Sequence, residues 1–430
     1  MMSKRIVFLL VLTGLTLSGC RHIFRESRHD KQKISFAGGI GLKADPYIVK
    51  TAAQLAWLAE LVNRSQIDPL YGGKFADKFY KLGADLDLSD YNAESNNGKG
   101  WVPIGNGYYR RFSGSFDGAG NKITGLYIND ISSDYVGLFG CICGGKVQDL
   151  TIETTQAGVS GKDQVGGLAG YIDDGSSIKG CSVVGTVSGN VFVGGLAGYL
   201  RSGSMTHCYV DGKVTGTGNS VGGLIGRIEG SIVTNCFATC TVVGTGDFAG
   251  GLVGSVSTAF IEGGILPESK IENCFATGLV DGAAEDVGGL IGVVWDGSVV
   301  NCYAGGNVSG TVHVGGVVGN VSTGGKVTNC VALNNHLQGR NSVGRVTGHS
   351  YFGLHQGNRA IDGIKVTILD GIAGNNRITG QSISVTKLQQ QATYVDMGWD
   401  FSTVWQIDEG NGYPTLQKFM DSEYERRQRL

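Results

Sequence analysis

An all-β fold is predicted here: a parallel β-solenoid of coils about 28 residues long, with a helix-containing amino-terminal cap and a small carboxy-terminal cap. The first observation behind it is one phrase that returns six times, as VGGLAG at 165–170 and 193–198, VGGLIG at 221–226 and 287–292, AGGLVG at 249–254 and VGGVVG at 314–319. The starts lie 28, 28, 28, 38 and 27 residues apart. The second is a cysteine that follows each phrase, Cys181, Cys208, Cys236, Cys274, Cys302 and Cys330, at spacings of 27, 28, 38, 28 and 28. The third is the absence of helical periodicity between them, where short β-branched runs alternate with turns such as VTGTGNS and VVGTGDF.

A unit of two or three short strands cannot bury an apolar face alone, but copies stacked as parallel strands about 4.8 Å apart can. A propeller blade needs roughly 40–50 residues, so the pitch excludes it. The 73 glycines are expected at corners of positive φ and where backbones stack closely. Regularly placed Val, Leu, Ile and aromatic residues exclude a disordered glycine-rich tract.

The Gly-Gly-Leu-x-Gly phrase resembles the GLUG motif of bacterial surface adhesins and of the amino-terminal regions of immunoglobulin A metalloproteases. Degenerate copies at 136–140 (VGLFG) and 343–348 (VGRVTG) extend the resemblance over residues 136–348. It implies a cell-surface binding role by analogy of architecture, and no activity.

Residues 1–20 read as a signal peptide, with Lys4 and Arg5 ahead of an apolar run from Ile6 to Leu17. That run is shorter than the ~20 residues that span a bilayer. Leu17-Ser18-Gly19-Cys20 resembles the bacterial lipobox, which implies cleavage before Cys20 and its acylation. Partnership with a membrane through that lipid is expected, and an outer-membrane location, because Arg21 rather than Asp follows the cysteine. Residues 21–44 form a tether, basic at its start, suited to lipid headgroups. The chain's net charge of −2 becomes −4 without the leader, since Lys4 and Arg5 are its charged residues. That balance argues against a nucleic-acid partner.

Residues 45–135 are expected to hold the amino-terminal cap and the first coils. Thr51 and Gln54 form a candidate capping box, and Leu55, Leu58, Leu61 and Val62 recur at helical spacing. This stretch resembles the lead-in ahead of such repeats in gut-bacterial lipoproteins. Residues 136–348 are the repeat solenoid, and 349–430 hold irregular coils, a short helix at Val385–Tyr394 and a cap built on Trp399, Phe401, Trp405, Tyr413 and Pro414. The same closing phrase recurs in that lipoprotein group. An exposed aromatic platform for carbohydrate is the alternative for these rings.

Strict alternation would put Phe275 on the same face as Ile271 and Cys274 outward. A corner at Asn273 would instead turn the cysteine inside, and that arrangement is favoured because Asn tolerates left-handed corners. The thiols then read as buried and free; inter-coil disulfides have the spacing but poor side-chain vectors, and a line of thiols is not a tetrahedral metal site. Ten extra residues between Cys236 and Cys274 fall within Ser255–Lys270 and read as a loop ejected from the stack. Phe260, Ile261, Ile265 and Leu266 are the candidate ligand-binding residues there, with packing back onto the coil as the alternative.

The rival function is a β-helix polysaccharide lyase or hydrolase, which needs converging acid and base groups. Asp173, Asp174, Arg201, Glu229 and Asp296 follow the glycine phrases but read as solvated turn charges scattered over several coils. The seven histidines form no His-Glu-x-x-His. No catalytic residue, metal or cofactor is therefore expected. The sequence is read as a non-enzymatic cell-envelope lipoprotein, an adhesin or ligand-binding protein whose partner is a host or bacterial surface protein or glycan.

Overall fold

A computed structural model describes residues 34–258, 260–261, 264–283, 285–372 and 377–417. The chain divides into a leading segment, Met1–Ile34, and one compact unit, Ser35–Leu430. That unit is a parallel β-solenoid of about 9 turns with ~28-residue coils and a small helical amino-terminal region. One coil serves for all: Val193–Gly194 lies on a narrow face, Ala197–Arg201 and Ser204–Thr206 share the first broad face, and Tyr209–Gly216 lies on the second. The three stacks form sheets of 17, 16 and 6 strands.

Register follows the phrase. Val136, Val165, Val193, Val221, Ala249, Val287, Val314 and Val343 pair in sequence as parallel neighbours, the degenerate copies included. The phrase leucines Leu168, Leu196, Leu224, Leu252 and Leu290, followed by Val317 and Val346, are fully buried in the shared core. Each buried Leu or Val contributes about 1.5–3 kcal/mol, so the core comes from repetition.

The glycines of the phrase are there for close approach. A Cβ on Gly222 would lie 2.0 Å from the Ile225 carbonyl oxygen and 2.6 Å from the Gly254 nitrogen. The left-handed corners one residue earlier are held by other residues: Phe192, Ser220, Phe248, Asp286 and His313 have φ between 53° and 68°. Most corners of the repeats are thus not glycine, contrary to the simplest expectation. Each costs about 1–2 kcal/mol, tolerated because the coils on either side fix the backbone.

The corner expected at Asn273 forms, with φ 54°, and Asn235, Asn301 and Asn329 match it. It turns the cysteines inward, and the nine described cysteines are free and buried. Their sulfurs close the corner hydrogen bonds. Cys236 N–H donates to Cys274 Sγ at 3.4 Å, and Cys274 N–H to Cys302 Sγ at 3.3 Å. Each thiol in turn donates to the carbonyl two residues back, as Cys274 does to Glu272 at 3.2 Å. Asn358 takes over in the next coil, accepting from Cys330 N–H at 2.9 Å. Burial pushes the thiols of Cys181, Cys236, Cys302 and Cys330 well up, and that of Cys240 to about 12.

The amino-terminal cap contains the helix Ala52–Asn63, capped by Thr51 and buried through Leu55, Leu58, Ala59 and Val62. Gln54 Oε1 accepts from Lys50 N–H at 2.7 Å, so the capping box is displaced by one residue. At the other end the helix expected over Val385–Tyr394 is two short pieces, Val385–Leu388 and Gln391–Val395. The carboxy-terminal cap lies along the flank of the last coils. There Tyr209, Phe237, Phe275 and Tyr303 form an outward ladder with ring centroids 5.1, 4.8 and 4.8 Å apart. Trp399 and Trp405 pack beside Tyr303, Trp405 Nε1 donates to Asn273 Oδ1 at 3.3 Å, and Tyr303 donates to the Pro414 carbonyl at 2.9 Å. Both tryptophans are buried, which excludes the exposed carbohydrate platform at these rings.

Candidate ligand-binding face

After the last glycine of each phrase the strand continues, with the second residue inward and the first and third outward. Ile172, Leu200, Ile228, Val256 and Val294 are the fully buried inward set. The first outward column runs Cys141, Tyr171, Tyr199, Arg227, Ser255, Val293, Asn320 and His349, each in register with the next. Beside it run Cys143 and Asp173, then Arg201, Glu229 and Ser257. Corner residues Tyr135, Phe192 and Phe248 border the same face.

The turn-charge reading of Asp173, Arg201 and Glu229 is corrected here. They end the strands Ala169–Asp173, Ala197–Arg201 and Ile225–Glu229, and both acids are only 6% exposed. The 28-residue pitch that separates them in sequence is what stacks them. Arg201 Nη1 meets Asp173 Oδ2 at 3.2 Å, and its Nε lies 3.9 Å from Glu229 Oε2. Tyr171 donates to Asp173 at 2.7 Å, and Tyr199 donates to Glu229. Asp174 sits in a left-handed turn, and Asp296 pairs with Gly324 farther along the sheet, so neither joins the group.

Arg227 is its centre. The guanidinium holds Glu229 through Nε at 2.9 Å and through Nη2, and reaches Ser257 Oγ at 3.3 Å. It lies over three rings, Phe192 at 5.4 Å, Tyr199 at 5.9 Å and Trp295 at 5.6 Å. Such contacts are worth about 0.5–2 kcal/mol each and fix the rings around the charge. Tyr199 stands edge-on to Tyr171 at 5.3 Å, and Phe248 edge-on to Trp295 at 4.9 Å. Farther on, Asp286 bonds His313 at 2.6 Å, and His313 stacks on His349 at 4.5 Å.

Every ionisable group in the cluster with a displaced pKa is held in its resting state. Burial works to raise Glu229, but hydrogen bonds from Tyr199 and Arg227 outweigh it and hold the carboxyl below its usual range. Burial, then hydrogen bonds to Asp173 and Glu229, pushes the Tyr171 and Tyr199 hydroxyls up. Arg201 is raised despite burial by Tyr171 and Asp173. Such a face presents rings and fixed charge. Among the described residues no group of three or more His, Cys, Asp or Glu side chains could hold a metal ion.

The ejected segment borders this face. It leaves after Ser257, forms a hairpin of Phe260–Ile261 against Gly264–Ile265, and returns at Lys270. Its base is tied by Ser269 Oγ to the Ser257 carbonyl at 2.9 Å and by Lys326 to Glu268 at 3.1 Å. Ile265 is 62% exposed, whereas Leu266 is 7% exposed and covers Gly230. Leu266 is therefore corrected from a presented contact to a covering residue. The side chains of Phe260 and Ile261, and Cys20 as a whole, lie outside the described residues.

Sequence reasoning missed Tyr171, Tyr199, Arg227 and Trp295. The signal was present: aligned on the phrase, the next three residues read YID, YLR, RIE, SVS and VVW, apolar in the middle throughout, with ring or charge on both sides in the first three and a tryptophan in the last.

A family model of the GLUG motif matches residues 163–188, 189–215, 217–243 and 283–309. The four matched repeats are GLUG motifs. The chain is 35% identical over 137 residues, 31% of its length, to a provisionally named Gly-rich membrane protein of Evansella cellulosilytica, and spans 14% of that protein. It is 34% identical over 143 residues to halomucin of Haloquadratum walsbyi, spanning 32% of this chain and 1% of that one. It thus covers far less than two thirds of either. Among solved structures, a provisionally named immunoglobulin A1 protease of Bacteroides ovatus superposes with TM-score 0.46 at 19% identity, over 89% of this chain and 95% of that one. Another IgA1 protease gives 0.45 at 16% identity, over 82% and 24%.

Proposed function

We propose that this chain is a non-enzymatic binding protein of the cell envelope, an adhesin whose contact surface is the outward side of the first broad sheet with the ejected hairpin at its edge. The observation that carries this reading is the Arg227 cluster: rings from several coils are gathered round a charge whose counter-ion is already in place. Tyr, Trp and Arg are the residue types that dominate protein and glycan contacts, because they offer large rigid area at low entropic cost. A lyase or hydrolase would need a group poised near neutral pH, typically a carboxyl displaced upward. Glu229 is displaced the other way.

The names of the two relatives, a membrane protein and a halomucin, agree with an envelope location. The finer placement is an outer-membrane lipoprotein acylated on Cys20, with a host or bacterial surface protein or glycan as partner and no nucleic acid. Protease shaving of intact cells, with labelled fatty acid fed to wild type and Cys20→Ala, tests the placement. Adhesion of purified wild type, Arg227→Ala and Trp295→Ala to arrayed matrix proteins and glycans tests the face. Loss of binding by folded protein is the expected result, with the melting temperature little changed in Trp295→Ala and lowered in Arg227→Ala, which strands the buried Glu229. Adhesion that survives both substitutions, or an inward-facing protein, would overturn the reading.

A further inference from the structure

We propose that the amino-terminal cap carries a second, non-covalent contact with a lipid surface, made by the turn between Ile67 and Lys74 and the single helical turn Tyr108–Arg110 with Arg111 behind it. The two elements meet at one cleft of about 290 Å³, lined by Lys74 at the end of the first and by Tyr108, Tyr109, Arg110 and Arg111 of the second, with Asp77 between them in sequence. Three features of this corner have no use within the fold.

The first is exposed apolar surface on a rigid support. Leu70 is 79% exposed, with Ile67 and Tyr71 exposed in the same turn, and Tyr109 on the second element is 93% exposed. The turn that carries Leu70 is firmly held. Asp68 is buried, bonded to Tyr47 and paired with Lys78 at 3.3 Å, and its Oδ1 accepts the Leu70 and Tyr71 N–H groups at 2.9 and 3.1 Å. A rigid turn that holds an aliphatic side chain out in water has the form of a surface probe.

The second is charge. Among the described residues, Lys74, Arg110 and Arg111 take part in no ion pair, and Arg111 lies over the Tyr108 ring at 5.7 Å. The cleft's carboxylate, Asp77, is engaged by Ser113. Cations set behind apolar and aromatic tips suit a surface where rings and alkyl groups enter the interface and the charges meet phosphate. A saccharide would engage the tyrosines but leave Ile67 and Leu70 in water, which favours lipid.

The third is position. The described fold begins at this corner: Phe36 packs on Trp57 at 4.8 Å and lies 6.3 Å from Phe75, the residue after Lys74. The stretch from Cys20 to Phe36 reaches at most about 55 Å when fully extended. The inference rests on the envelope-lipoprotein reading for its setting, but the patch acts without the acyl chains. Its consequence is orientation, because a bilayer contact at this end sets how the coils stand on the membrane.

The test uses the chain from Ser35, a compact unit by itself, sedimented with phosphatidylcholine vesicles with and without phosphatidylglycerol. Binding to the anionic vesicles should be about tenfold tighter or more, as two or three cations near such a surface provide, and should fall as salt rises. Leu70→Asp and, on the other element, Arg110→Glu should each weaken it about fivefold or more with no change in melting temperature. No binding to either vesicle, or binding that both variants retain, overturns the proposal. So does loss of cell adhesion by Leu70→Asp in a protein that never bound vesicles, which would assign the patch to a protein partner. Failure to acylate Cys20 in cells would sink the lipoprotein reading while leaving the vesicle result standing.

Discussion

Excising residues 258–267 tests the ejected hairpin and the solenoid's tolerance together. The register pairs Glu229 with Ser257 and Ile232 with Lys270, so the excision leaves Glu268 and Ser269 where the coil before has Gly230 and Ser231. Ser231 and Ser269 are both buried, and each hydroxyl bonds a carbonyl inside its turn. Gly230 has φ 57°, so the shortened chain needs Glu268→Gly as well. Three terms set the magnitude. Losing the buried Leu266 costs about 1.5–3 kcal/mol. Losing the half-exposed Glu268–Lys326 pair costs about 0.5 kcal/mol. Reducing the connection from twelve residues to two returns about 1.6 kcal/mol of closure entropy, from (3/2)RT ln 6. The expected net loss is roughly 0.5–2 kcal/mol, read by urea unfolding. If the hairpin is part of the contact surface, adhesion falls while the fold survives. Unchanged adhesion by the folded protein would refute the hairpin's role, and a loss above about 4 kcal/mol would show that the segment is a structural cover.

Three further outcomes follow from the same geometry. Glu229→Gln should destabilise by about 1.5–3 kcal/mol, since Arg227 and Arg201 lose their shared carboxylate. Because the folded pKa of Glu229 lies below its unfolded value, its contribution is complete above the unfolded pKa and lost as pH falls through the folded one; denaturant titrations below pH 5 should therefore be steeper for wild type than for the variant, and equal slopes would contradict the network. Cys274→Ala should cost about 1–3 kcal/mol by stranding the Cys236 N–H, and Cys274→Ser less; in the native protein an alkylating reagent should leave the column unmodified, and rapid labelling without unfolding would refute its burial. Gly222→Ala, whose methyl would meet backbone above and beside it, should cost about 3 kcal/mol in thermal unfolding, and a neutral result would deny the close stacking.

The fold was legible because repetition converts sequence spacing directly into pairing. The first residue of each phrase pairs with the first residue of the next even where spacing changes from 28 to 38, as Ala249 does with Val287. An insertion alters a connection and leaves the rung intact. The corner at Asn273 was legible for a different reason: alternation alone turned cysteine outward, and a residue type that tolerates positive φ stood where a reversal was needed. What was not followed through was the other half of that reversal. If Cys274 goes inside, Phe275 must face out, and so must Tyr303 one coil later. A ladder of outward rings needs a cover, and that is why the carboxy-terminal aromatic phrase lies on the flank.

The candidate face was hidden by one misplaced boundary. Treating the residues after each phrase as a turn made Asp173, Arg201 and Glu229 look solvated and unrelated. The bend in fact occurs at the paired glycines, where a Cβ on Gly194 would lie 2.2 Å from the Ala197 carbonyl oxygen. Beyond it the chain is strand again. Once those residues are strand, period-two alternation sends every second one outward, and the coil pitch sets residues 28 apart side by side. Evolution of such a face needs no change in the fold, because outward positions vary freely while the glycines and inward aliphatics hold the register. The coils accordingly share one core and differ in surface: a tyrosine pair, an arginine with its glutamate, a tryptophan, then a histidine stack. A ligand that bound through the repeat itself would meet the same residues at every rung; one that binds this surface meets a different residue on each, so its specificity must reside in the order of the coils.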